Sequence, residues 1–164
     1  MFKVNIKRTL LDSIIIIATF LIDRISKIYI LKIAELENTV DIYLTPYLNF
    51  YLIWNKGIAF GLFSFEDSFI YQLISLVIFI ISIVLVVMIV KSDGFKKYSM
   101  ILILGGAIGN LFDRIYYSAV PDFIDLHFQG FHWFVFNVAD IFITFGVICL
   151  ILDELFIKKK YETN

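Results

Sequence analysis

Long apolar runs separated by short polar clusters dominate the chain. Four stretches approach the roughly 20 apolar residues that a helix needs to cross a bilayer: 10–30, 69–90, 98–115 and 134–157. The second carries no charge at all. The third is cleanly apolar only over 100–112 and needs part of Asn110-Leu111-Phe112-Asp113-Arg114 to be long enough. The first follows Lys3, Lys7 and Arg8, as a cleaved signal peptide would. Its apolar run is too long for one, lacks a small-x-small exit and precedes three more spans, so it reads as a retained anchor.

Between the first two spans the pattern changes. Thr45-Pro46-Tyr47-Leu48-Asn49-Phe50-Tyr51-Leu52-Ile53-Trp54 is aromatic and β-branched, and ends at Asn55-Lys56-Gly57. That composition predicts one or two short strands and a turn, with the alternating Val40-Asp41-Ile42-Tyr43-Leu44 as a candidate partner. Rings such as Tyr43, Tyr47, Tyr51 and Trp54 suit a small sheet lying on the headgroup layer. No repeat or linker divides the chain. It reads as one integral-membrane domain over 1–164, with outer segments 32–68 and 116–133.

Composition supports the membrane reading. Of 164 residues, 60% are hydrophobic and 18% aromatic, and mean hydropathy is +0.88. Soluble domains average about 45–50% apolar residues. A soluble enzyme, a nucleic-acid module and a disordered chain are excluded. The net charge of −1 steers the molecule toward no polyanion, so no nucleic-acid partner is expected.

The position of the charges matters more than their sum. Lys3, Lys7, Arg8, Lys91, Lys96, Lys97, Lys158, Lys159 and Lys160 gather on one side of the predicted spans. By the positive-inside rule both termini are cytoplasmic. The opposite face collects Asp23, Asp113, Asp122, Asp125 and Asp140.

Candidate chemistry follows from these groups. Cys149, the one cysteine, lies in an apolar run, where a thiolate is disfavoured. His127 and His132 stand in a polar loop without zinc-site spacing, so a metal site would need a nearby Asp, and no metal or cofactor is expected. Asp23 and Lys27 are i,i+4 neighbours; they fit a solvated, self-paired helix end or a polar cluster facing a cavity. Asn55-Lys56-Gly57 reads as a hairpin turn or an edge for a bound peptide. Gly105 and Gly109 give small-xxx-small spacing, which favours close helix packing. Asn110, Asp113 and Arg114 continue that face. Asn137 and Asp140 lie in the opening turns of the fourth span, where Asn137 or a neighbour is a plausible cap. Two nearby carboxylates cannot both ionise cheaply, so they share one proton. The ionised member takes a proton from water and the protonated one polarises a carbonyl. Spacing alone does not select which two Asp do this.

Four blocks in order resemble the bacterial lipoprotein signal peptidase (signal peptidase II) family. They are Asp23-Arg24-Ile25-Ser26-Lys27; Asn55-Lys56-Gly57-Ile58-Ala59-Phe60; Gly105-Gly106-Ala107-Ile108-Gly109-Asn110-Leu111-Phe112-Asp113-Arg114; and Val120-Pro121-Asp122-Phe123 with Phe136-Asn137-Val138-Ala139-Asp140. The resemblance implies an all-α membrane protein of four transmembrane helices with a small extracytoplasmic β-cradle and a short helix. It implies an aspartic endopeptidase of the bacterial plasma membrane, whose site faces outward. Such enzymes cut prolipoproteins just before a diacylglyceryl-modified cysteine. On this pattern Asp122 and Asp140 are the catalytic pair. Asp23, Asn55, Gly57, Asn110, Arg114 and Asn137 line the substrate pocket, and Asp113 braces it. Prolipoproteins, membrane lipids and the inhibitor globomycin are the implied partners.

The chain departs from that pattern at three places. Ser118 stands where Gly is usual, Pro121 replaces Val, and Trp133-Phe134-Val135-Phe136 lacks a Pro. All three concern the path around Asp122. A proton- or ion-coupled transporter and a non-catalytic membrane scaffold are the competing readings of the same acids.

Overall fold

A computed structural model describes residues 6–57, 68–128 and 130–157. Four long helices carry a sheet at one end. Helix α1 spans Ile6–Glu37, α2 Ser68–Lys91, α3 Gly94–Tyr117 and α4 Val138–Leu152, which continues into a π-helical turn at Asp153–Ile157. Strands β1 (Asp41–Thr45), β2 (Leu48–Asn55), β3 (Val120–Phe128) and β4 (Phe131–Phe136) form one antiparallel sheet in the order β1-β2-β3-β4.

The contacts fix the helix directions. Lys97 pairs with Asp12 at 2.5 Å and Arg8 with Asp93 at 3.1 Å, so α1 and α3 start at the same end. Tyr71 reaches the carbonyl of Arg114, which sets α2 antiparallel to α3. A Cβ on Gly106 would meet Ala139, and one on Gly146 would meet Ser99, which sets α4 antiparallel too. The start of α1 and the end of α4 therefore lie together, opposite the sheet.

Two apolar clusters hold this arrangement. Leu85, Ile89, Met100, Ile101 and Leu104 join α2 to α3, with Ile15, Ile16 and Leu150 packed against them. Ile30, Val40 and Phe123 join the sheet to α1, with Phe50, Leu52 and Val138 around them. Most of the remaining apolar surface is uncovered. Phe79, Ile80, Ile81, Ile83, Val84, Val86 and Val87 on α2 all stay about half exposed. Among the described residues, 69–91 of α2 form the helix long and apolar enough to cross a membrane.

Several expectations are corrected. Helix α1 runs to Glu37, past the predicted limit near 30. The fourth helix begins at Val138, not near 134, because Phe131–Phe136 pairs with β3 as a strand. The segment expected as a loop over 116–133 thus holds the end of α3 and the paired strands β3 and β4, and Asp122 sits in a strand. Cross-strand pairing over a long sequence separation leaves little periodic trace, and Pro121 masked this strand further. The predicted β1–β2 pairing is present, although β2 starts at Leu48 beyond the Pro46 turn. Of the Asn55–Phe60 block, Ile58 onward lies outside the described residues. No short helix occurs in the outer segments among the described residues, and 58–67 are outside them.

Ser118 ends α3 in the left-handed region, at φ 56° and ψ 22°. That is the conformation in which glycine usually closes a helix. The serine keeps the turn that starts β3, with the steric strain of a Cβ in this region.

The glycines of α3 are packing surfaces. A Cβ at Gly106 would lie 2.5 Å from the Ala139 carbonyl oxygen and 2.8 Å from Ile143. Gly106→Ala should therefore force α3 from α4 and lower stability by about 1–3 kcal/mol. A fall in thermal midpoint in detergent checks this; an unchanged midpoint contradicts it.

Candidate active site

The polar centre is assembled from five elements. Lys27, one turn after Asp23 on α1, is fully buried. Its ammonium contacts Asp23 at 2.9 Å, Asp113 at 2.6 Å and the Asn110 side-chain oxygen at 3.0 Å. The Arg24 guanidinium meets Asp113 at 2.5 Å and stacks over Phe112, 5.0 Å from the ring centre. Two cations and two carboxylates thus neutralise one another out of water. Asp23 also accepts a hydrogen bond from the backbone N–H of Ala139 at 3.0 Å, which ties α1 to the first turn of α4.

This settles the choice at Asp23 and Lys27, which lie inside α1 rather than at its end. The Asp23–Lys27 pair is a buried cluster, not a solvated helix end. Lys27 itself was missed as a site residue. Its i,i+4 spacing from Asp23 was visible, but spacing does not report burial.

Three asparagines project from this frame toward Asp122 and Asp140. Asn137 caps α4: its side-chain oxygen accepts from the Asp140 N–H at 3.1 Å, and Asp140 Oδ2 accepts from the Asn137 N–H at 3.1 Å. This reciprocal capping box satisfies two otherwise orphaned donors. The Asn137 amide N–H is then left to donate to Asp122 Oδ1 at 2.6 Å. Asn55, the last residue of β2, accepts from the Gly57 N–H at 2.7 Å and donates to Asp122 Oδ2 at 2.8 Å. Asn110 accepts from Lys27 and donates to Asp140 Oδ1 at 2.8 Å. Each amide is oriented by one bond so that its N–H₂ faces a carboxylate.

The structure brings Asp122 and Asp140 to one cavity of about 510 Å³. Asn55, Asn110, Arg114 and Asn137 share its polar end. Leu73, Val77, Ile81 and Leu85 of α2, Ile103 and Ala107 of α3 and Ile143 of α4 form its apolar remainder. Asp122 is 2% exposed. Burial and the Asp140 carboxylate push its pKa up to about 7, against the lowering effect of Asn137 and Asn55. Arg114 donates to the Gly57 carbonyl and lies over the Tyr71 ring, 5.1 Å from its centre. Gly57 thus meets the site through its backbone. Asp23, expected to line the pocket, instead stands with Asp113 behind the cavity, because both carboxylates are held by the buried cations. Tyr71 and the α2 lining had no signal in the sequence beyond an uninterrupted apolar run.

The helical bundle with its sheet matches two solved structures, both described as bacterial membrane enzymes. One aligns with a TM-score of 0.73 and 29% identity over 88% of this chain and 87% of that one. The other aligns with a TM-score of 0.73 and 28% identity over 89% and 93%. The family model for signal peptidase II matches residues 15–156. A protein of Pelagibacter ubique strain HTCC1062 named lipoprotein signal peptidase is 60% identical over 99% of this chain and 97% of its own length. Another so named, from Anaplasma phagocytophilum strain HZ, is 36% identical over 96% and 99%. The chain belongs to the signal peptidase II family and is a peptidase of lipoprotein processing.

The buried cations define a test of the frame. Lys27→Met removes one of two positive charges facing two buried carboxylates, which should cost about 3–5 kcal/mol. Thermal denaturation of the purified variant measures it; a loss below 1 kcal/mol, on the order of a surface pair, contradicts the account.

Proposed function

We propose that Asp122 and Asp140 form a catalytic pair that hydrolyses the peptide bond immediately before a diacylglyceryl-modified cysteine of a prolipoprotein. The observation that carries this reading is their position in one cavity, joined by Asn137, at the polar end of an apolar channel. The channel suits acyl chains and an apolar signal segment, while the carboxylates meet the peptide bond beside them. The pair holds a single proton. The ionised carboxylate removes a proton from water as its oxygen attacks the carbonyl carbon, and the protonated carboxyl gives its proton to the carbonyl oxygen. Collapse of the tetrahedral intermediate breaks the C–N bond as the amine nitrogen takes a proton, and the pair returns to its starting state. No covalent intermediate is involved.

The half-exposed apolar faces of the helices and the antiparallel bundle support a four-span, multi-pass protein of the bacterial plasma membrane, a single domain of 1–164. Arg8, Lys91, Lys96 and Lys97, near the helix ends away from the sheet, support cytoplasmic termini and an extracytoplasmic site. Asn55, Asn110, Asn137, Arg114 and the Gly57 backbone position the substrate; Asp23 and Asp113 brace these groups. Lipids border the channel, and globomycin occupies it in competition with substrate.

Asp122→Asn and Asp140→Asn should each reduce cleavage of a lipidated prolipoprotein by at least about 10²–10⁴-fold while the protein still inserts. Assay of purified variants against lipidated and unlipidated substrate, with and without globomycin, checks this. Cleavage at the normal rate by either variant rejects the pair.

The raised pKa of Asp122 sets the sign of the pH dependence. Below about pH 7 the pair retains its proton; above it the acid is lost. A plot of kcat/KM against pH should fall on its alkaline side with a midpoint near 7. A rate that stays flat to about pH 9 contradicts a proton held between the two groups.

A further inference from the structure

A second cluster of ligating groups lies on the β3–β4 hairpin, apart from the cavity. Asp125 and His127 are two apart on β3 and share a face. His132 on β4 is the cross-strand partner of His127. The register slips between Leu126 and His127. Such a bulge re-aims side chains, and here it turns both imidazoles toward one carboxylate. His132 Nδ1 is 2.8 Å from Asp125 Oδ2, and His127 Nδ1 is 3.6 Å from the same oxygen. The ring centres are 5.3 Å apart. One atom from each of the three residues falls within 4.8 Å of the others.

These groups are mismatched as a set of hydrogen bonds. Asp125 is 1% exposed, yet its Oδ1 has no hydrogen-bond partner among the described residues. His127 Nδ1 and Asn49 Oδ1 are likewise buried without one. Asn49 is the β2 residue paired with Asp125, so its side chain falls beside the carboxylate. Buried polar atoms are satisfied in nearly all native structures, and each exception calls for a partner. A proton on one imidazole serves one of these atoms. A cation between the three strands serves the carboxylate, the amide oxygen and both ring nitrogens.

We propose that Asp125, His127 and His132, with Asn49 Oδ1 as fourth donor, bind a divalent transition-metal cation of the Zn²⁺ class. Two imidazole nitrogens and two oxygens are a donor set for zinc rather than for Mg²⁺ or Ca²⁺, which take oxygen alone. Zinc bonds of 2.0–2.1 Å in a tetrahedron place ligand atoms roughly 3.3 Å apart. The two separations from Asp125 Oδ2 bracket that value. The cation clips β4 to β3 and β2, three residues along β3 from Asp122. Its role is to hold the strand that carries Asp122; it takes no part in hydrolysis.

Metal-stripped protein in detergent tests the site with Co²⁺ and Zn²⁺ as probes. One equivalent of Co²⁺ should give the visible ligand-field bands of a tetrahedral nitrogen–oxygen site, displaced by Zn²⁺ and not by Mg²⁺. Zn²⁺ should raise the thermal midpoint. His132→Ala, at a side chain 59% exposed, should fold normally, keep prolipoprotein cleavage and bind at least about tenfold more weakly. Asp125→Ala should abolish the bands. Absence of bands at 100-fold excess Co²⁺, or equal binding by wild type and His132→Ala, overturns the assignment.

Discussion

One buried ammonium organises the polar end of this protein. Lys27 touches Asp23, Asp113 and Asn110, which lie on two helices. Removing an ion from water costs several kcal/mol, so such a charge is tolerated only when its neighbours complete its coordination. Here they do, and the coordination is also an orienting device. By claiming the Asn110 oxygen, Lys27 forces the Asn110 N–H₂ toward Asp140. By sharing Asp23 with the Ala139 N–H, it fixes where α4 begins. The capping box at Asn137 then turns its amide toward Asp122. A chain of bonds therefore runs from the buried cation to both carboxylates, and each link removes a rotational choice from the next.

That chain explains why the carboxylates come from different kinds of element. Asp140 sits in the first turn of α4, where free N–H groups welcome an anion. Asp122 sits in a strand that β2 and β4 hold from both sides. Neither depends on a flexible loop. The close approach of α3 to α1 and α4 at Gly105, Gly106 and Gly109 is the backbone condition for this assembly. A Cβ at Gly109 would meet Asp23 Oδ2 at 2.7 Å, displacing the carboxylate that binds Lys27. Packing and chemistry are thus set by the same glycines.

Much of this was legible in the sequence. The apolar runs announced the helices because burying or lipid-facing segments must be apolar over a fixed length. The small-xxx-small spacing announced close packing, and the Asn137–Asp140 spacing announced a cap. Resemblance to the family, rather than spacing, singled out Asp122 and Asp140 among five acids. The hairpin of β3 and β4 was not legible, because its partner β2 lies some seventy residues away and Pro121 argues against a strand. The burial of Lys27 was hidden for a related reason. A lysine at the edge of an apolar run looks solvated until the partners on α1 and α3 that enclose it are placed around it. The histidines of the hairpin looked like loop residues for the same lack of a register.

The central claim is that Asp122 and Asp140 hold one proton between them. Infrared difference spectroscopy of the purified protein, titrated across neutral pH, measures it directly. One protonated-carboxyl band should be present on the acid side, disappear with a midpoint near 7, be missing from Asp122→Asn and titrate at lower pH in Asp140→Asn. A band that persists unchanged in those variants, or no titrating carboxyl near neutrality, would contradict the claim.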